Sequence, residues 1–351
     1  MEKCVMVEYV WLDGVGEIRS KTRVLPISTV KEEKIPVWNY DGSSTYQRHT
    51  SDSEVKINPK KQYVDPIRGS PHCIVLCETN DRACTRTLAR KIFQAAEPYQ
   101  PMFGLEQEFF IRHLEKEHTF GIDLPSYENS YCSMGAQKCF AGLFIEKVMK
   151  DALSCGIHLT GFNWEVAPGQ AEFQVCSYGL EAADDLILLR YILQKRGEEY
   201  NYEILLHPKL IEGWNGSGLH ANFSTQSMRE KGGLEVIMET LVKLEKTHTA
   251  DQKLFGEDNQ LRLTGKCETS DYKNFTWGIA SRDTSIRIPQ ETDEKGYGYF
   301  EDRRPGANAN PYLVTANLFK VACLDGISLS ESHSYIIPKS KEELNFKLGV
   351  K

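Results

Sequence analysis

In the run Phe103-Gly-Leu-Glu106-Gln-Glu108-Phe-Phe-Ile111, two carboxylates stand two residues apart within apolar sequence. On a strand that spacing puts both on one face and their neighbours on the other. Burying two adjacent like charges is costly unless a cation compensates them. An isolated Glu-x-Glu is more often the exposed face of an edge strand, so the pair counts only in company. Company comes from Gly161-Phe-Asn-Trp-Glu165-Val-Ala-Pro168-Gly169-Gln-Ala-Glu172-Phe-Gln-Val175. Its Pro-Gly turn joins two strand-like runs and can bring Glu165 and Glu172 toward each other across a hairpin. A third segment, Gly213-Trp-Asn215-Gly216-Ser-Gly218-Leu-His220-Ala-Asn222-Phe-Ser224, has a Gly-rich loop feeding a strand with His220, Asn222 and Ser224 on one face. A lone His is more often a satisfied core or surface residue. In Tyr299-Phe-Glu301-Asp-Arg303-Arg304-Pro305, Glu301 and Arg303 share a face if the segment is extended.

Five carboxylates and one imidazole make an oxygen-rich set suited to hard divalent cations such as Mg²⁺ or Mn²⁺, and the absence of thiolate clusters or HExxH argues against zinc. Arg262, Arg282 and Arg287 sit in unusual contexts. Arg287, within Ser285-Ile-Arg-Ile-Pro289, should face away from Ile286 and Ile288. Any one of them alone reads as a structural salt bridge. Divalent metals with several fixed guanidiniums are what phosphoryl transfer uses against the charge of a γ-phosphate, and the same guanidiniums can hold a carboxylate bidentately.

The elements that must position these residues follow from periodicity. Short strands are expected at 5–12, 22–25 and 73–77, with turns at Asp13-Gly14 and Asp41-Gly42 and a polar stretch from 47 to 61. This gives a small β-rich domain at 1–80. A helical pattern over 82–96 leads into a larger catalytic domain, 81–351, in which strands and helices alternate. Its strands fall at 103–112, 157–166, 171–175, 219–223 and 285–288, and its helices at 136–155, 180–200, 233–247 and 311–324. There is no GxxxxGK[ST], and no GxGxxG follows a strand. From about 328 the tail has little apolar periodicity and reads as an exposed or partner-contacting extension.

The 351 residues carry a net charge of −7 with pI near 5.8, which argues against a phosphate-backbone-binding surface and so against nucleic acid. No stretch reaches the ~18 apolar residues of a membrane span, and the first residues do not resemble a signal peptide, so a cytoplasmic protein is expected. The ten cysteines show no CxxC and read as reduced thiols; the three N-x-[ST] sequons are read as chance matches.

Together the motifs resemble glutamine synthetase in the shorter form typical of eukaryotes. The resemblance is carried in order by Trp38-Asn-Tyr-Asp41-Gly-Ser-Ser44-Thr45, Phe103-Gly-Leu-Glu-Gln-Glu108, Asn215-Gly-Ser-Gly, Arg262-Leu-Thr-Gly, Ser285-Ile-Arg-Ile-Pro and Tyr299-Phe-Glu-Asp-Arg-Arg-Pro305, and it spans roughly residues 8–325. It implies an α+β fold, with a β-grasp-like N-terminal domain before a catalytic domain built on a barrel-like antiparallel funnel. One metal site would come from Glu108, Glu165 and Glu172, and a second from Glu106, His220 and Glu301. Glutamate would be held by Asn215, Gly216, His220, Arg262 and Arg303, and ATP by Arg282, Arg287 and the strand of Ser224. Ammonium would lie by Asp41 and Ser44 of a neighbouring subunit and Tyr131. Glu268 would sit on a flap that excludes water and accepts a proton. The implied assembly is a homo-oligomer of two stacked rings, commonly a decamer.

The chain departs from the family pattern at Cys267, where His usually precedes the flap Glu, and at Ala171, where Trp usually precedes the hairpin Glu. Cys176-Ser177 stands in place of a Gly-Pro turn. The family's N-terminal arm is largely missing, the tail is longer, and no adenylylation segment is recognisable. Two other readings compete: a catalytically dead scaffold relative, against which the retained acidic residues speak, and a ligase for another amine, against which Asp41, Ser44 and Tyr131 speak.

Overall fold

The computed structural model describes residues 3–32, 34–115, 129–135 and 139–336. By their contacts, the described residues within 1–88, 150–157 and 335–351 form one compact unit, and those within 89–149 and 158–334 form another. The described residues form thirteen strands and eight α-helices, of class α+β as the sequence implies.

The first unit is built on β1 (Cys4–Leu12), β2 (Ile18–Pro26), β3 (Trp38–Asp41), β4 (Glu54–Val64) and β5 (Cys73–Thr79), with the short α1 (Ile27–Lys31). The sheet order is β2-β1-β5-β4-β3, a β-grasp-like arrangement with one parallel pair, β1 and β5, at its centre. Alternation in β1 sends Val5, Val7, Tyr9 and Trp11 into a core with Ile57, Cys73, Val75 and Cys77. One expectation fails: residues 54–61, read as part of a polar stretch, belong to the eleven-residue β4. Only Val55, Ile57 and Tyr63 of that strand are buried, and a register shift between Pro59 and Lys61 breaks its alternation.

The sheet of the second unit, here called sheet B, has the order β11-β12-β13-β10-β6-β8-β7, with β9 also paired to β6. Its strands are β6 (Met102–His113), β7 (Leu159–Trp164), β8 (Gln170–Tyr178), β9 (Tyr202–Leu205), β10 (Leu219–Ser224), β11 (Trp277–Ile279), β12 (Ile286–Ile288) and β13 (Phe300–Asp302). All pairings are antiparallel except β11 with β12. The helices are α2 (Thr85–Ile92), α3 (Gly142–Ser154), α4 (Leu180–Tyr200), α5 (Gly233–Asp251), α6 (Gln290–Lys295), α7 (Pro311–Phe319) and α8 (Leu329–Ser332). Aromatic residues of the inward strand face, Phe103, Phe223 and Phe300, pack in series. Helix α4 buries its Leu186–Leu193 run against β6, β8 and α7, and Tyr312 of α7 donates to Asp184 at 2.7 Å.

The expected helix over 136–155 forms at 142–154, and residues 136–138 lie outside the described ones. The start of the tail is not wholly exposed. Ser328 caps α8, Leu329 is buried, and the Leu329 N–H donates to Asn317 Oδ1 at 2.7 Å. Residues 337–351 of the expected extension lie outside the described residues. Among the described residues no helix is long and apolar enough to cross a membrane.

Candidate active site

Register alone brings the chemistry together. His220 on β10 stands opposite Glu106 on β6, Glu106 opposite Gln174 on β8, and Glu108 opposite Glu172. On the other side, Glu301 pairs with both Asn222 and Arg287. Because facing residues of a ladder share a face, one surface of sheet B carries the whole set. That surface lines a cavity of about 160 Å³ together with Glu165, Tyr131, Asn215, Gly216 and the segment Cys267–Thr269. Arg262, Arg282, Arg287 and Arg303 complete the lining.

Two donor groups converge, Glu106 with His220 and Glu301, and Glu108 with Glu172 and His220, each with one ligand atom per residue within 4.8 Å of the others. Glu165 lines the same cavity but is outside both groups. Its carboxylate accepts from Asn163 Nδ2 at 2.8 Å, and its charge bears on both Glu108 and Glu172.

Burial raises the pKa of all four carboxylates Glu106, Glu108, Glu165 and Glu172. Glu108 is pushed up to about 8 by desolvation and then by the charge of Glu165. Glu172 is pushed up to about 10 by desolvation and the charges of Glu106, Glu108 and Glu165. His220 moves the other way, well below its usual value, because it is desolvated and faces Arg303. A neutral imidazole among crowded carboxylates is the donor set a divalent cation takes, and the residues fit such a group. His220 Nδ1 lies 3.3 Å from Glu106 Oε2 and 3.4 Å from Glu301 Oε1.

Amide side chains to which the sequence motifs assign no role hold the acids in place. Asn222 donates to Glu106 Oε1 at 2.8 Å, and Gln174 to Glu172 Oε1 at 2.6 Å. Glu108 Oε2 accepts the main-chain N–H of Gly218 at 2.6 Å. The available signal was phase: Asn163 and Gln174 stand two residues from Glu165 and Glu172 and so share their strand face. Glycine is needed at 218, since a Cβ there would lie 2.7 Å from His220 Nε2.

The arginines divide into held and available N–H groups. Arg262 is buried, donates through Nε to Asn259 at 3.1 Å, and donates through Nη2 to the carbonyls of Arg303, Arg304 and Pro305 at 2.9 Å each. Arg303 pairs with Glu301 at 2.6 Å and donates to the Glu268 carbonyl at 3.2 Å. Arg287 approaches Glu301 at 3.4 Å. The Nε atoms of Arg287 and Arg303 are buried without a hydrogen-bond partner, which suits an anionic ligand. Glu268 Oε2 joins Arg282 at 3.1 Å and Asn215 at 3.3 Å, and Arg282 lies over the Tyr131 ring.

Ser224 lines a second, larger cavity of about 510 Å³, mostly apolar, which shares Glu106 and Gln174 with the first and adds Gly104, Cys176, Arg229, Tyr297 and Tyr299. Asp41 and Ser44 belong to the first unit and are not in this group. There Asp41 is exposed and accepts from the Ser43 N–H at 2.9 Å and hydroxyl at 2.7 Å, which lowers its pKa.

Paired acidic groups on one sheet, ringed by guanidiniums from that sheet and its connecting segments, define a metal-assisted group-transfer enzyme acting on anionic substrates. The family model described as glutamine synthetase, catalytic domain, matches residues 82–256 and 262–340. The chain belongs to the glutamine synthetase family. It is 46% identical over 329 residues to a glutamine synthetase of Fusarium solani subsp. phaseoli, covering 90% of this chain and 92% of that one. With the Saccharomyces cerevisiae glutamine synthetase it shares 40% over 332 residues, 91% of this chain and 89% of the relative. Its fold is similar to that of Plasmodium falciparum glutamine synthetase, with TM-score 0.75 at 19% identity over 94% of this chain and 73% of that one.

Proposed function

We infer that this chain ligates ammonia to glutamate with ATP, through γ-glutamyl phosphate, giving glutamine, ADP and phosphate. The observation that carries the reading is the convergence of Glu106, Glu108, Glu172, His220 and Glu301 with four arginines in one cavity, on a chain of this family. Mg²⁺ or Mn²⁺ held by Glu106, His220 and Glu301, and by Glu108, Glu172 and Glu165 or His220, would neutralise charge on the transferring phosphoryl group.

The protein's own groups account for the rest. In the first step a γ-carboxylate oxygen of glutamate bonds to the γ-phosphorus of ATP as the bond from that phosphorus to ADP breaks. Arg282 and Arg287 face the phosphates and stabilise the charge shifted between them. The Nη1 of Arg262, whose other nitrogens are committed to carbonyls and Asn259, and the unpartnered Nε of Arg303 are the groups left for the substrate carboxylate. Asn215, Gly216 and His220 complete that pocket. The larger cavity beside Ser224 suits the nucleoside, because its apolar lining accepts a base while Glu106 joins it to the acidic site.

In the second step ammonia attacks the acyl carbon and phosphate leaves. Asp41, with Ser44 beside it from a neighbouring subunit, takes a proton from ammonium near Tyr131, and Glu268 takes one from the tetrahedral adduct. The Cys267–Glu268 segment, whose side chains line the cavity, excludes water from the acyl phosphate. An assembly of stacked rings, a decamer in this reading, supplies Asp41 and Ser44 across subunit boundaries, and the cytoplasm is the compartment.

The test is an assay of glutamine and phosphate release by the purified protein with glutamate, ATP, ammonia and Mg²⁺ or Mn²⁺, run beside alkylamines. Glutamine in step with phosphate is expected. No turnover with any amine sinks the enzyme reading, and faster turnover with an alkylamine moves it to another γ-glutamyl ligase.

A further inference from the structure

Arg190 is charged yet sits in the middle of α4, within Leu186-Ile-Leu-Leu-Arg190-Tyr-Ile-Leu, and is only 6% exposed. Among the described residues no carboxylate forms an ion pair with it, and burial alone pulls its pKa down to about 9. A guanidinium placed so deep without a counter-charge is costly, so its neutral partners are informative. Its Nε donates to Gln107 Oε1 at 2.7 Å, and Nη2 donates to the same oxygen. Nη2 also donates to the carbonyls of Ala307 at 2.9 Å and Ala309 at 3.1 Å.

Gln107 is the residue between Glu106 and Glu108, turned to the opposite face of β6 and fully buried. Its amide donates to the Glu108 carbonyl at 2.8 Å and to Ala307 at 3.0 Å. From Ala307 the chain of bonds reaches the site again: Ala307 N–H donates to Ser217, and Leu219 N–H to Pro305. Gly218 also bridges Gly306. One guanidinium therefore ties β6, which bears Glu106 and Glu108, to the segment after Arg303 and through it to the loop bearing Asn215 and Gly216 and to the start of β10, which bears His220.

We propose that Arg190 is a positioning residue for the reaction, fixing through Gln107 and Ala307 the spacing between the β6 carboxylates, His220 and Arg303. It touches no substrate and acts from behind the sheet. The proposal rests on reading the cavity as a metal site.

The experiment measures Mn²⁺ binding by electron paramagnetic resonance, with steady-state kinetics, on the full chain at a temperature where circular dichroism and mass show each variant folded and assembled as the wild type is. Arg190→Met is expected to weaken Mn²⁺ binding and lower kcat by about 10 to 100-fold, the range for groups that orient metal ligands, with Arg190→Lys intermediate. Arg190→Met that only lowers Tm, with Mn²⁺ affinity and kcat within about twofold of wild type, overturns the proposal, since a purely structural role predicts that result. Should Arg190→Met fail to fold, Gln107→Glu decides: it gives Arg190 a carboxylate of the same shape but removes both amide N–H bonds. Weakened Mn²⁺ binding is then expected, and unchanged binding overturns the assignment. If the wild type binds no Mn²⁺, the metal-site reading falls and this proposal with it; wild-type binding with unaffected variants removes this proposal alone.

Discussion

Glu108 accepts the Gly218 main-chain N–H at 2.6 Å, while the Glu108 N–H donates to the Gly218 carbonyl at 3.1 Å. A carboxylate of the acidic cluster and the loop that feeds His220 are thus clamped to each other through one glycine.

Gly218→Ala places a methyl group where the His220 ring already stands, 2.7 Å from Nε2. The ring must turn away from Glu106 and Glu301. A fall of about 10 to 100-fold in kcat and in Mn²⁺ affinity is expected, with the protein still folded by circular dichroism. Wild-type kinetics in the variant would show that His220 is not set by this contact.

Glu301→Ala and Glu268→Ala should fail differently. Glu301 faces Arg287, Arg303 and His220, so its loss is expected to lower γ-glutamyl hydroxamate formation by about 10² to 10³-fold through misplaced charge. Among the described residues, the Glu268 carboxylate bonds to Asn215 and Arg282. Glu268→Ala is expected to cut glutamine formation by about 10² to 10⁴-fold, the range for a proton acceptor, while phosphate release from ATP persists. Equal loss of both products would remove Glu268 from the proton-transfer role.

Stability of the metal-free protein should fall as pH rises. Glu108 and Glu172, with pKa near 8 and 10 in the folded state against 4.5 ordinarily, bind more protons folded than unfolded over that interval. Raising the pH through it therefore favours the unfolded chain. Thermal melts in EDTA at pH 6.5 and 8.5 are expected to show a lower Tm at 8.5, and saturating Mg²⁺ should remove most of the difference. A Tm independent of pH in EDTA would contradict the crowding of these acids.

Thiol reactivity should separate by burial. Cys77 and Cys323 are pushed up to about 12 by burial, whereas Cys4, Cys132 and Cys267 are exposed. At pH 8 an alkylating agent followed by mass spectrometry is expected to label the exposed group first, with Cys77 and the partly buried Cys323 modified last. Because Cys267 lines the cavity beside Glu268, its labelling should track loss of activity. Full labelling at 267 with full activity would free the flap from that constraint.

Much of the catalytic arrangement was legible because strand periodicity is a geometric rule. Glu106 and Glu108 had to share a face, and Arg287 had to turn away from Ile286 and Ile288, as the buried-intermediate-buried pattern of β12 shows. Other features depend on partners distant in sequence. Nothing local in Gln107 says that it meets Arg190, 83 positions away, although a charge among seven apolar residues of α4 was a signal that something waited there. Strand β4 was missed because Pro59, Lys60 and Lys61 mask the alternation of Val55 and Ile57, and its identity comes from pairing with β3 and β5. That His220 comes within reach of both Glu106 and Glu172 depends on register between β10, β6 and β8, which spacing within one segment does not fix.

The amides beside the acids separate strength from identity. Gln174 engages one oxygen of Glu172, and Gly218 engages one oxygen of Glu108. Altering such a neighbour changes how firmly an oxygen is held and how much negative charge it retains, while every candidate ligand stays in place. The site can therefore be made greedier or more forgiving toward its cations by substitutions that leave its chemistry intact, and relatives with the same ligand list need not share the same appetite for metal.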